Sequence, residues 1–316
     1  MSPDPAGVLH PSEFAGRLRE RLPELATLAR IDIGSLMAKD SSDLTPADWR
    51  TIAFAIQDRE ADYDGFVVVH GTDTMAYSAS AVAFLLPALS KPVVFTGSQR
   101  PLEEPRSDAR INLVDAVTVA AMAIPEVAVC MNSVLLRGAR CRKRSTTAYT
   151  AFESPNFPPL ARLGVTIDRS PEILPPRRAP GDPVPPPYPL EAKVCVLFLT
   201  PATRVVEIEA HGRLGTRGLL LLAFGSGNVP VGRGVAEALR ALDVPVVVLS
   251  QCFEGPVDLA LYPGGRTLLE AGAIDGGDMT REAGLTKLMV GLGRGLAGEA
   301  LRRYIEESVA GERTSR

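Results

Sequence analysis

Histidine is scarce in this 316-residue chain, and cysteine nearly as scarce. The three histidines, His10, His70 and His211, are too scattered to suggest a zinc site. The four cysteines, Cys130, Cys141, Cys195 and Cys252, form no C-x-x-C pair. Three of them lie in or at the end of apolar strand-like runs, which suits buried free thiols in a reducing cytoplasm. An excess of one charge is missing too. The 34 basic residues face 37 acidic ones, which speaks against a nucleic-acid-binding surface. No stretch of about 18 apolar residues is free of charge, so no membrane span is expected. No basic segment followed by an apolar core marks a signal peptide. There is no P-loop and no complete dinucleotide fingerprint; Gly225-Ser226-Gly227-Asn228 behind an apolar run is only a weak nucleotide signal. What the chain does have is length and apolar content (46% hydrophobic), enough for two domains with full cores.

The organising stretch is DGFVVVHGTDTMAYSASAVAFLL at 64–86. Residues 65–69 read as a buried strand, 70–74 as a turn, and 76–86 as an apolar helix that Thr74 or Ser78 could cap. Ahead of it, 1–11 is a loop by composition and 12–28 a charged amphipathic helix capped by Ser12. A short strand is predicted at 31–37. A polar loop at 39–46 then leads into a helix at 47–60, with Thr45 as cap and Pro46 at the first helical position. Behind it come a strand at 92–97, a polar loop at 98–106, a helix at 107–122 capped by Ser107, and strands at 127–131 and 134–138. Alternating strands and helices predict a parallel α/β sheet covered on both faces. A long polar loop at 140–159 follows. The proline-dense run at 169–189 reads as an extended linker and domain boundary. Strands at 193–199, 218–224 and 244–250 and helices at 234–242, 279–292 and 297–308 complete the pattern.

In an open parallel sheet, ligands sit beyond the carboxyl ends of the strands. Thr72 and Asp73 are therefore placed for chemistry, although both residue types also cap helices there. Ser41 and Ser42 read on spacing alone as a helix-entry loop. Lys143, among Arg140, Arg142 and Arg144, reads first as solvated surface; crowded cations also ease loss of a proton from one of them. Asp108 reads as a helix-start residue, and His70 as a core or turn residue.

Seven stretches then point one way in chain order: DSSDLTPADW (40–49), DYDGFVVVHGTDTMAYSASA (62–81), KPVVFTGSQRPLEEPRSDARINL (91–113), RGARCRK (137–143), AFESPNFPPLA (151–161), FGSGNVP (224–230) and AGAIDGGDMTREAGLTKL (271–288). Together they resemble the bacterial type I (cytoplasmic) L-asparaginase family, also seen in the asparaginase domain of a mammalian lysophospholipase. The resemblance implies an N-terminal flavodoxin-like parallel-sheet domain at 1–168, the linker at 169–190 and a smaller α/β domain at 191–316. It implies hydrolysis of L-asparagine to aspartate and ammonia through a threonine acyl-enzyme, without metal or organic cofactor, in a cytoplasmic homodimer or homotetramer. By position, Thr72, Asp73 and Lys143 form a catalytic group in which Lys143 deprotonates the Thr72 hydroxyl or a water held by it. Asp73 grips the substrate ammonium, and Asp40, Ser41 and Ser42 hold its carboxylate and amine. The sequence also departs from the family. The family opens with an apolar strand ending in T-G-G-T-I, whose first threonine is taken as the primary nucleophile, and no T-G-G-T occurs here. The expectation is a start assigned beyond that motif, or a truncated homologue; either way the chain as written hydrolyses asparagine poorly. Leu222 stands where an arginine of a regulatory asparagine site would be sought, so that regulation is not expected. The rival readings are a non-catalytic amino-acid-binding homologue and a lysophospholipase-like acyl hydrolase.

Overall fold

A computed structural model describes residues 2–3, 9–10, 18–179 and 182–315. The chain divides into two compact units, Met1–Pro187 and Tyr188–Arg316. The Ser12 cap and most of the loop expected at 1–11 lie outside the described residues. Ser2–Pro3 pairs antiparallel with Leu9–His10. The described part of the helix expected at 12–28 is two short pieces, Leu18–Arg21 and Leu25–Leu28, separated at Pro23, which lacks the N–H a continuous helix needs.

The first unit is built on a six-stranded sheet in the spatial order Ile167–Arg169, Ala161–Leu163, Val134–Arg137, Val127–Met131, Val93–Thr96, Phe66–Val69. The expectation of a parallel sheet holds for only half of it. Phe66–Val69, Val93–Thr96 and Val127–Met131 are parallel, and the other three strands run antiparallel. The reversal happens at Asn132 and Ser133, both with positive φ (51° and 59°), the backbone of a tight two-residue hairpin. The sheet is therefore mixed. Val93–Thr96 and Val127–Met131 are buried along their whole length, as central strands between helices should be. The strand expected at 31–37 does not form; the backbone there is irregular, while Ile31 and Ile33 still pack against the Leu22, Leu25 and Leu113 cluster.

Of the helices Pro46–Gln57, Met75–Leu85 and Ala109–Ala120, the first packs on the second, and the second and third pack on this sheet. Thr45 caps the first, with Pro46 at its first position, as expected. Its N–H and hydroxyl both donate to Asp48, 2.8 Å each, and Lys39 donates to the other Asp48 oxygen at 2.6 Å. The Lys39 ammonium and then the Thr45 N–H hold the Asp48 carboxyl at about 2, down from 3.8. A depressed carboxyl stabilises the fold fully above its ordinary range and loses that contribution as pH falls through its folded value. Stability should thus drop between about pH 4 and pH 2, and Asp48→Asn should flatten that limb in acid-denaturation curves. A curve unchanged by the substitution would remove Asp48 from the account. The Met75–Leu85 helix, in contrast, takes no side-chain cap. Thr74 donates instead to the Ser41 carbonyl (2.6 Å), and Ser78 pairs with His70. Against this helix packs a short turn, Gly138–Arg140: Ser80 donates to the Gly138 carbonyl (3.2 Å), and a Cβ on Gly138 would meet the Ala79 methyl at 3.2 Å.

The proline-dense segment is not a free tether. Up to Pro187 it belongs to the first unit. Leu174 donates its N–H to Glu126 (2.7 Å), Arg177 donates its own to Leu89 (3.1 Å), and Arg178 pairs with buried Glu60 at 2.5 Å.

The second unit has four parallel strands in sequence order, Val194–Phe198, Gly218–Ala223, Val246–Ser250 and Ile274–Asp275. Helices Val205–Arg213 and Pro263–Glu270, not expected from the sequence, join Val235–Ala241 on one face, where Ile208, Leu239 and Leu268 pack on Leu219, Leu221 and Val248. Arg281–Gly293 covers the other face, with Gly284 close against Leu220 and Leu249. Within it Lys287 is completely buried, as is Glu312. The Lys287 ammonium donates to Glu312, to the Ile305 carbonyl (2.9 Å) and to the Glu307 carbonyl (2.5 Å). Glu312 also accepts the N–H groups of Val309 and Ala310. The segment after helix Gly298–Glu306 is thereby anchored to the interior.

Candidate active site

The site is assembled where Phe66–Val69 hands the chain to Met75–Leu85. The strand stays paired to its last residue, and the His70 N–H still reaches the Thr96 carbonyl (2.8 Å). Beyond it the turn is pressed between two loops. A Cβ on Gly97 would lie 2.2 Å from the His70 carbonyl oxygen, and a Cβ on Gly71 would lie 2.7 Å from Ser41 Oγ and 2.8 Å from Ser41 Cβ. Only glycine permits these approaches. They bring the 40–43 loop onto the Thr72 turn, with Ser41 itself 4% exposed. Gly71→Ala should push Ser41 outward and weaken aspartate binding by about tenfold, the scale of an overpacked contact; titration calorimetry on the folded variant measures it, and unchanged affinity would detach Ser41 from the binding surface.

Lys143 arrives from a distant part of the sequence. Arg142–Lys143 forms a two-residue ribbon with Phe152–Glu153. The loop between them is tied to its surroundings: Tyr149 donates to the Arg106 carbonyl (2.5 Å), Gln99 to the Ala148 carbonyl (3.2 Å), and Asn132 to the Thr150 hydroxyl (2.9 Å). The neighbouring cations are directed elsewhere, Arg140 onto the Phe157 ring and Arg144 onto Glu153. Lys143 Nζ lies 2.7 Å from Thr72 Oγ1 and 2.6 Å from Asp73 Oδ1. It is 16% exposed, whereas Asp73 is 67% exposed and open to a ligand. A hydroxyl, an amine and a carboxylate thus meet at one point. As an ammonium the lysine donates to both oxygens; as a free amine it accepts the hydroxyl proton.

Asp40 faces its own loop. Its carboxylate accepts the Ser42 N–H and hydroxyl, 2.8 Å each, and the Ser42 N–H foremost holds its pKa below the ordinary value. Asp40 shapes the 41–43 turn, and the Ser42 hydroxyl is engaged with it. Asp108 is a helix-start residue, as expected, with a further task. Buried, it accepts the N–H groups of Gln99 (3.0 Å) and Arg100 (3.1 Å) and the Asn112 amide (2.9 Å). Asn112 in turn donates to the Gly97 carbonyl (2.9 Å) and accepts the Asn132 N–H (2.8 Å). Sequence reading missed this brace; its only signal was a buried polar residue one helical turn beyond Asp108. Among the described residues no cluster of three or more His, Cys, Asp or Glu side chains could hold a metal ion. Among them, too, no helix is long and apolar enough to cross a membrane.

The sequence profile of the family described as "Asparaginase, N-terminal" matches residues 1–173, and that of "Glutaminase/Asparaginase C-terminal domain" matches residues 193–305. The chain belongs to the asparaginase family. L-asparaginase 1 of Escherichia coli K12 is 41% identical over 279 residues, covering 87% of this chain and 82% of that protein. Among solved structures, the thermostable L-asparaginase from Thermococcus kodakarensis superposes with a TM-score of 0.86 at 35% identity, over 100% of this chain and 96% of that one. L-asparaginase I from Vibrio cholerae gives 0.88 at 37% identity, over 99% and 95%. The mixed α/β sheet and the separate, smaller α/β unit are thus the asparaginase fold.

Proposed function

We propose that this chain is an L-asparagine amidohydrolase, releasing aspartate and ammonia. The carrying observation is the Lys143 amine at 2.7 Å from the Thr72 hydroxyl and 2.6 Å from the Asp73 carboxylate. Asp73 holds the substrate ammonium, and Ser41 and Ser42 with the Asp40 loop hold its carboxylate and amine. Fixed ends place the side-chain amide for attack. The free amine of Lys143 takes the proton of the Thr72 hydroxyl, or of a water held by it, and the oxygen attacks the amide carbon. The nitrogen leaves with that proton as ammonia. When the attacking oxygen is that of Thr72, water then attacks the acyl carbon, regenerating the hydroxyl and freeing aspartate; when it is that of the held water, the same attack frees aspartate directly. No metal takes part. The protein works as a cytoplasmic homo-oligomer.

The first threonine of the family's acyl-enzyme chemistry belongs to T-G-G-T, which this sequence does not contain. Turnover by the chain as written is therefore slow. Ammonia release from L-asparagine, measured with aspartate binding on the same sample, tests this. Slow release above buffer supports the hydrolase. Aspartate binding with no release supports the second reading, which the missing motif favours: a homologue that grips the amino acid without cleaving it. Neither binding nor release sinks both.

A further inference from the structure

His70 precedes the turn, and the mechanism above leaves it without a task. Its ring is held at both nitrogens. Nδ1 lies 2.6 Å from the Gly71 carbonyl oxygen, and Nε2 lies 2.9 Å from the hydroxyl of Ser78, a fully buried side chain in the first turn of Met75–Leu85. A carbonyl oxygen only accepts, so Nδ1 carries the proton. Nε2 of the neutral ring then accepts, and Ser78 donates. Burial holds the imidazole below its ordinary pKa, against the opposite pull of the Gly71 carbonyl, and so favours the neutral form. The ring also tilts against Phe95, centroids 5.9 Å apart.

The Gly71–Thr72 peptide is planar and trans, so its C=O and N–H point in opposite directions. Holding the Gly71 oxygen toward the imidazole turns the Thr72 N–H away from it. It also fixes the Cα from which the Thr72 hydroxyl reaches Lys143. Gly71 has no side chain to restrain its own rotation, so the orientation of this peptide depends on what its carbonyl oxygen is bound to, and that is the imidazole. We propose that His70 is a positioning residue whose Nδ1–H, backed by Ser78, locks the Gly71–Thr72 peptide and keeps the Thr72 hydroxyl within reach of the Lys143 amine. Its consequence for turnover rests on the hydrolase reading; its geometry does not.

The test is NMR on the full chain with ammonia release alongside. His70→Phe keeps a ring against Phe95 but removes both nitrogens, His70→Asn keeps a side-chain N–H donor, and Ser78→Ala removes only the backing. The imidazole 15N pattern should be that of the Nδ1–H tautomer. The Thr72 amide order parameter should fall from about 0.85 to below about 0.6 in His70→Phe, recover in His70→Asn, and fall in part in Ser78→Ala, a variant that stands in should His70→Phe not fold. Ammonia release should follow that order through kcat rather than KM. An Nε2–H tautomer, or a Thr72 amide equally rigid in His70→Phe and Ser78→Ala, overturns the proposal. No ammonia from the unsubstituted chain, with both NMR results as expected, overturns the hydrolase reading and supports the positioning role.

Discussion

Lys143→Met brings the slow ammonia release from asparagine down to the buffer background, because deleting a positioned base costs about two to four orders of magnitude. Methionine matches the length of the lysine stem, which is only 16% exposed, so the change removes the amine rather than the packing. Aspartate affinity should move by no more than about threefold, because Asp73 is mostly exposed and its carboxylate is rehydrated once the cation is gone. The signature is a fall in kcat with a nearly constant binding constant. Near-normal turnover would exclude Lys143 as the base, whatever its distance from Thr72.

The largest stability effect belongs to the second unit. Lys287→Met leaves the fully buried Glu312 carboxylate without its cation and should cost about 3–5 kcal/mol in urea unfolding followed by circular dichroism. The double variant Lys287→Met/Glu312→Leu should recover most of that loss, since two apolar residues leave no charge uncompensated. Burial alone would raise the Glu312 carboxyl; the Lys287 cation and the N–H groups of Ala310 and Glu312 itself outweigh it and hold the group below 4.5. Its contribution is therefore complete above that pH and lost as the solution is acidified through the folded value. A single variant as stable as the parent would show that the pair is balanced by its desolvation.

The strand, turn and helix around Thr72 were legible because each is local. A β-branched run, a polar turn and an apolar helix follow one another within 23 residues, and Thr45-Pro46 announces its helix by capping chemistry alone. The sheet reversal was not read, although a two-residue connection, Asn132-Ser133, between two apolar runs admits only an antiparallel pair; the alternation of strands and helices ahead of it set the parallel expectation. Pro263-Gly264-Gly265 looks like a turn and conceals a helix start. The partner of His70 stands eight residues away on the next element, so no periodicity connects them. The approach of Lys143 to Thr72 spans 71 residues, and nothing in spacing could predict it; only the family resemblance did.

The short turn at Gly138–Arg140 lies against the same helix that begins just behind Thr72. One rigid rod therefore gauges both members of the reacting pair, the alcohol at its tip and the incoming nitrogen along its flank. The tolerance of that gauge is set by the smallness of Ala79 and Gly138, which have no chemistry of their own. A misfit of about 1 Å between reacting groups can reduce a rate about a hundredfold, so bulk added at this seam would detune the enzyme from a distance while every functional group remained present.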